Sequence, residues 1–195
     1  MADEIGQVVD EELDAERQAR RQLALAQIRQ YPDAALRMQA RDVESFDDDL
    51  ARLVERMSHL MVDANGVGLA APQVGVLRRL FVFRRGHDGE EGSEETIAVV
   101  NPHIVGAGDE LEADAEGCLS IQGIQVPVER HLAVRIEARD PAGTPVELEL
   151  EGIDARIVQH EFDHLDGVLI LDRTTPEARR EALAALRPRA VLGAG

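Results

Sequence analysis

The densest chemistry in this chain sits in Gln159-His160-Glu161-Phe162-Asp163-His164. On a helix, histidines four residues apart stand one above the other, about 5 to 6 Å between Cβ atoms, so both imidazoles can reach one metal ion while Glu161 lies beside them on the same face. Ile153 and Ile157 fall seven and three residues before His160, which makes this face part of an apolar stripe that points inward. Two satisfied core histidines would leave the same pattern. A third donor separates the readings, because catalytic zinc-type centres take three protein ligands and keep one position for water. The chain has one cysteine, Cys118, within Glu116-Gly117-Cys118-Leu119-Ser120. Cys118 is a candidate third ligand; the plain alternative is a small buried packing residue. No intrachain disulfide can form with a single cysteine, which leaves packing, metal binding or nucleophilic chemistry. A third stretch, Gly66-Val67-Gly68-Leu69-Ala70-Ala71-Pro72-Gln73, carries glycines that admit an extended substrate and a neutral donor in Gln73. It follows a helical pattern and contains no lysine, unlike a phosphate-binding loop.

These groups need elements to hold them. Leu50, Leu53, Val54, Met57, Leu60 and Met61 recur at helical spacing and predict a helix over 47–63, with Ser45 and Asp48 as a capping box and Asn65-Gly66 as its stop. Short β-rich runs follow at 80–83, 97–101, 124–128, 132–138 and 146–150. The last two alternate apolar with polar residues, as half-buried strands do, and Asp140-Pro141-Ala142-Gly143 turns between them. Residues 86–95 read as an exposed loop, while Gly106, Gly108 and Gly117 suggest a turn-rich approach to the cysteine. Helical patterns return over 153–165, carrying the histidines, and 176–186, with proline in the first turn. The fold class expected is α+β, mostly antiparallel strands packed around a central histidine-bearing helix.

Composition narrows the function classes. With 195 residues, 44% hydrophobic and 30% charged, the chain fits one compact globular domain. No apolar run approaches the roughly 18 residues of a membrane span, and the acidic first ten residues lack a secretory signal, which predicts a cytoplasmic protein. A net charge of −17 opposes DNA or other broad nucleic-acid binding. The end of the chain is locally basic, with Arg173, Arg179, Arg180, Arg187 and Arg189 against Asp172, Glu177 and Glu181.

Taken together and in this order, the glycine motif at 66–73, the Glu-Gly-Cys-Leu-Ser motif at 116–120 and the Gln-His-Glu-x-Asp-His helix at 159–164 resemble the peptide deformylase family. The resemblance runs from about Tyr31 to Arg173. Outside it, the acidic start and the Arg-, Gln- and Ala-rich run that follows read as an N-terminal extension over 1–28, helical or frayed, before a catalytic domain expected over 29–175 and a basic helix or tail over 176–195. The chain departs from the family at Gln122, where proline is frequent, and at Asp114, where an apolar pocket residue is frequent.

The resemblance implies removal of the formyl group from formyl-methionyl nascent polypeptides. Cys118, His160 and His164 would hold one divalent ion, Fe(II) by resemblance, although Zn, Ni and Co suit the same donors. Glu161 would take a proton from water and deliver it to the leaving amine, while the Gln73 amide and the Leu119 backbone N–H stabilise the oxyanion. Val67, Gly68, Gly117, Arg130 and Ile157 are the expected substrate contacts, Ile157 in the pocket for the methionine side chain. The basic C-terminal segment is either a solvated amphipathic helix or a contact to ribosomal RNA. Two rival readings are a zincin-like metallopeptidase, which would seek its third ligand downstream although no histidine follows His164, and a non-catalytic peptide-binding homologue.

Overall fold

The computed structural model of the chain describes the backbone of residues 2–86 and 95–186, with side chains from residue 14 onward. A long first helix, α1 (Ala2–Leu25), covers the expected extension. Its last turn sends Ala24 and Leu25 into the core, and Ile28 follows them there. The next segment is tied down by backbone bonds at two places, from Arg29 N–H to Gln73 O at 2.7 Å and from Tyr31 N–H to Ser120 O at 2.8 Å.

Helix α2 (Asp48–Asp63) buries Leu50, Met57, Leu60 and Met61. Its N-cap is Asp47, whose carboxylate accepts from Leu50 N–H at 3.0 Å, so the capping box placed on Ser45 and Asp48 is wrong by two residues. Asp48 and Asp49 instead occupy the first turn, where negative charge suits the helix dipole. The helix stops as the Asn-Gly pair predicts. Asn65 takes a left-handed φ of 58°, and Gly66 N–H reaches back to Met61 O at 2.8 Å, a Schellman closure that turns the chain into the glycine motif.

Strands β1 (Gly68–Ala70), β2 (Leu80–Arg85), β3 (Glu95–Ala107), β6 (Ala133–Arg139) and β7 (Pro145–Glu151) form one antiparallel sheet in the order β1-β2-β3-β6-β7. The strands β4 (Leu111–Cys118) and β5 (Ile121–His131) form a separate antiparallel hairpin. The expected strands are all present, and most run two to six residues longer at their ends because pairing extends beyond the β-rich cores. The turn after β6 is built by Asp140, whose Oδ1 accepts from Ala142 and Thr144 N–H. Two strands went unforeseen: β1, only three residues long, and β4, whose acidic Leu-Glu-Ala-Asp-Ala-Glu run has little strand propensity. Gly106 lies within β3 rather than in a turn. Of the loop expected over 86–95, the residues 87–94 lie outside the described ones.

Helix α3 (Gly152–Leu165) packs against both sheets and lies between them, followed by the short α4 (Ile170–Arg173) and by α5 (Pro176–Leu186). Three apolar clusters result. One joins α1, α2 and the inner face of β2; a second joins the large sheet to Ala155, Ile157, Val158 and Leu165 of α3; the third joins β5 to α4 and α5. The architecture is α+β with a central histidine-bearing helix.

Candidate active site

Helix α3 is buried on nearly every side, and much of what it buries is polar: Arg156, Gln159, Glu161, Asp163 and His164. A helix of this kind stays folded in the interior only where each polar group meets a partner. Gln159 is satisfied by the β5–β6 junction, accepting from His131 N–H at 3.2 Å and donating to His131 O at 2.8 Å. That docking fixes the rotation of the helix about its axis and so aims His160 and His164, whose ring centroids lie 5.0 Å apart, at one point.

Cys118 arrives at the same point from the tip of the β4–β5 hairpin. The register breaks between Gly117, opposite Gln125, and Cys118, opposite Ile121, which leaves residues 122–124 outside the pairing. A bulge of this kind re-aims the side chain beside it. Cys118 Sγ lies 3.3 Å from His164 Nε2, and one ligand atom each from Cys118, His160 and His164 lies within 4.8 Å of the others. One sulfur and two imidazole nitrogens that converge in this way are a donor set for a borderline or soft divalent ion.

The glycine motif contributes Gln73, 1% exposed, on the 3-10 turn after β1. Its Oε1 accepts from Ala70 N–H at 2.8 Å, which orients Nε2 toward Ser120 Oγ at 3.1 Å and Cys118 Sγ at 3.7 Å. Gln30, in the segment after α1, holds the other side of the tip by donating to Leu119 O at 3.0 Å.

Behind the cluster lies a buried charged network. Glu116 accepts from His160 Nδ1 at 3.0 Å, from Arg130 Nε and Nη2 at 2.9 and 3.0 Å, and from Arg156 Nη1 at 2.9 Å. With Nδ1 occupied, Nε2 is the nitrogen His160 offers to a metal. Arg130 Nη1 also donates to Asp163 at 2.6 Å, and Asp163 in turn receives Arg173 at 2.6 and 3.0 Å. Burial opposes ionisation of Glu116, yet hydrogen bonds from His160 and Arg130 outweigh it and hold its pKa at about 2.

Glu161 has the opposite surroundings. Burial pushes its pKa up to about 7 against the weaker pull of His160 and Arg130, and its Oε2 is buried without a hydrogen-bond partner. Burial and the positive charges of His160 and Arg130 drive His164 well below the ordinary histidine range. For His160, burial also lowers the pKa, but hydrogen bonds to Cys118 and Glu116 and the negative charge of Cys118 and Glu161 raise it well above that range in the metal-free protein. A half-buried thiol, two imidazoles and an unpartnered carboxylate oxygen together make a site that a cation would complete.

These groups open into a cleft of about 640 Å³ lined by Val67, Gly68, Gln73, Gly117, Cys118, Leu119, Ile157, His160 and Glu161 among others. The sequence placed all of these in or near the site. Arg130 is the exception. Expected as a substrate contact, it is 5% exposed, lies behind the cluster and does not line the cleft, because its guanidinium is consumed by Glu116 and Asp163. Sequence reasoning assigned no part to Glu116, Arg156 or Asp163, whose partners lie 10 to 44 residues away. A cue was available in Arg156 and Asp163 falling on the buried side of an otherwise apolar helical stripe.

Known proteins match this combination of fold and site. The polypeptide deformylase family profile matches residues 25–180. A peptide deformylase of Thermotoga sp. (strain RQ2) is 45% identical over 152 residues, which is 78% of this chain and 88% of that protein. The crystal structure of Arabidopsis thaliana peptide deformylase 1B in complex with an inhibitor superposes with a TM-score of 0.76 at 43% identity, covering 82% of this chain and 89% of the other. A peptide deformylase structure from Legionella pneumophila gives 0.73 at 40% identity, covering 83% and 98%. With all three motifs meeting at one cleft and the likeness extending over most of the fold, the chain belongs to the peptide deformylase family.

Proposed function

We propose that this deformylase removes the formyl group of N-formylmethionyl polypeptides through Cys118, His160 and His164 as ligands of one divalent cation and Glu161 as the carrier of the proton. The observation that supports these roles is the convergence of one sulfur and two imidazole nitrogens within 4.8 Å, with the unpartnered Glu161 carboxylate beside them. Fe(II) is the ion proposed, and Zn, Ni or Co would satisfy the same donors. When bound, the cation supplies polarisation of the formyl carbonyl and acidification of water.

The remaining work falls to the chain. Glu161, raised to about 7, accepts a proton from water as the formyl carbon is attacked and gives it to the methionine nitrogen as the C–N bond breaks. Negative charge that develops on the formyl oxygen is met by the Gln73 amide, held in orientation by Ala70, and by the Leu119 backbone N–H. Val67, Gly68 and Gly117 line the cleft as contacts for the extended peptide, and Ile157 as part of the methionine pocket. Formate and a free methionine amine leave.

The unit that does this spans 29–175, with an extension over 1–28 and a basic segment over 176–195, and it works in the cytoplasm. Among the described residues no helix is long and apolar enough to cross a membrane. For the C-terminal segment a structural role is favoured over ribosome docking. Arg173, Arg179 and Arg180 each pair with a carboxylate and Ala182 is buried; Arg187 and Arg189 lie outside the described residues. Ribosome cosedimentation lost in an Arg179→Glu, Arg180→Glu variant of wild-type stability would reverse that choice.

The test of the main reading is formate release from formyl-Met-Ala-Ser by protein prepared anaerobically with Fe(II), beside a Glu161→Ala variant. The wild type should turn over and the variant should bind metal without turnover. No release by fully metallated wild type would sink the assignment of roles.

A further inference from the structure

The end of α1 contributes Arg21 and Leu25 to one wall of the cleft. The family profile match begins at residue 25, so Arg21 lies outside it. The end of α1 is fixed: Ala24, Leu25 and Ile28 are buried in the first core cluster. Arg21 itself is exposed, and its Nε donates to the carbonyl of Ala64 at 3.3 Å. Ala64 is the C-cap of α2, directly before Asn65, Gly66, Val67 and Gly68, which line the cleft in turn. The guanidinium is thereby pinned at the far end of the strip that begins beside Glu161 at Gly68.

The electrostatics of the cleft make this position distinctive. Among the described lining residues, Arg21 is the single exposed charged side chain; Glu116 and Arg156 are buried and engage each other, and Glu161 is buried at the reacting end. No described carboxylate pairs with Arg21, whereas Arg17 on the same helix pairs with Asp14. In a protein of net charge −17, an acidic peptide meets repulsion from most of the surface, so one uncompensated cation inside the cleft carries unusual weight.

We propose that Arg21 is a specificity residue of the N-terminal helix that selects substrates with an acidic side chain a few residues after the formylmethionine. The inference rests on the deformylase reading and adds a substrate class to it. Arg21 is held at Ala64, across the turn at Asn65 and away from the reacting end at Gly68, which places the matching acid beyond the residue next to the formylmethionine and makes the third substrate residue the position to vary. Two free terminal nitrogens suit a carboxylate better than a hydroxyl or amide, since the charge-assisted fork can engage both oxygens. Because the pair is exposed to solvent, the preference should be modest, about two- to five-fold in kcat/KM at low ionic strength, and should fade as salt rises.

The test compares C-terminally amidated formyl-Met-Ala-Glu and formyl-Met-Ala-Lys peptides, so that the third side chain alone varies in charge. Formate release is measured with metallated wild type, Arg21→Glu, Arg21→Gln and, as a control that changes total charge equally on the same helix, Arg20→Glu. Wild type should favour the Glu peptide, Arg21→Gln should lose the preference and Arg21→Glu should invert it. Arg20→Glu should leave the ratio in place. An unaltered ratio in Arg21→Glu, or an equal change in Arg20→Glu, overturns the proposal; absence of formate release from every peptide by wild type would instead refute the deformylase roles.

Discussion

Replacing Gly68 by alanine tests whether the carboxylate of Glu161 must sit where it does. A Cβ built on Gly68 would lie 2.3 Å from Glu161 Oε1, 2.7 Å from Cδ and 2.9 Å from Cγ. Ordinary contact between such atoms is about 3.5 Å, so the carboxylate has to move by roughly 1 Å. The clash falls on the end of a flexible side chain whose Oε2 has no hydrogen-bond partner to hold it, so the side chain can yield. The substitution is thus tolerable for the fold and costly for the chemistry. A displacement of about 1 Å in a positioned catalytic group costs on the order of 10²-fold in rate, near 2.7 kcal/mol. Anaerobically prepared Gly68→Ala should keep its metal and melt close to wild type, while kcat for formate release drops by about that factor. Metal content by elemental analysis and a thermal melt separate this from misfolding. A variant with intact metal whose kcat stays within threefold of wild type would show that Glu161 does not act from this position.

Other perturbations reach different parts of the site. Glu116→Gln weakens the buried anchor of Arg130, Arg156 and His160, and should lower stability by about 3 kcal/mol or more and metal affinity by 10- to 100-fold, read by thermal melting and chelator competition. Cys118→Ser should abolish the stabilisation that added metal gives wild type, which is about 2.7 kcal/mol at a hundred times Kd, as seen in a thermal shift. Gln73→Ala, which removes a donor aimed at the cysteine, should reduce kcat by about 10²- to 10³-fold with metal retained. Asp172 is partly buried, which opposes ionisation, but Arg37 and the Leu169 N–H hold its pKa below the ordinary 3.8. Its contribution to stability is therefore complete above that ordinary value and disappears as pH falls through the lower, folded one, so the Tm difference between wild type and Asp172→Asn should narrow on acidification.

The parts of this molecule that were legible in the sequence are those written in local spacing. The run from Leu50 to Met61, the alternation in 132–138 and 146–150, and the His-x-x-x-His pair each express a period that one element imposes on its own residues. What was hidden depends on distant partners. Strand β4 consists largely of Glu, Asp and Ala, and it is a strand because β5 pairs with it from Leu111 through Cys118 and because its one buried carboxylate, Glu116, is needed by two arginines. Arg130 was misplaced for a related reason. Its motif-like position marked it as functional, but only the meeting of β5 with α3 shows that its charge is spent on Glu116 and Asp163. The cap of α2 was misplaced on Ser45 because Ser45 and Asp48 have capping-box spacing, whereas Asp47 is the residue whose carboxylate reaches Leu50 N–H.

The buried carboxylates around α3 show how one small region sustains two kinds of behaviour. Glu116 and Asp163 each meet guanidinium groups at hydrogen-bonding distance, which makes them rigid supports. Glu161, one residue after His160, is oriented away from every arginine contact and toward Gly68, so burial dominates and its pKa rises to about 7 where that of Glu116 falls to about 2. Environments that drive similar groups apart mark which one can exchange a proton near neutral pH and which one cannot. The glycine at position 68 is part of that division, since any side chain there would occupy the space that the Glu161 carboxylate fills. Helix propensity has no influence on this arrangement. It follows from the rotation of α3 set by Gln159 at the β5–β6 junction, which turns His160 and Glu161 to the cleft and Asp163 to the arginines behind it.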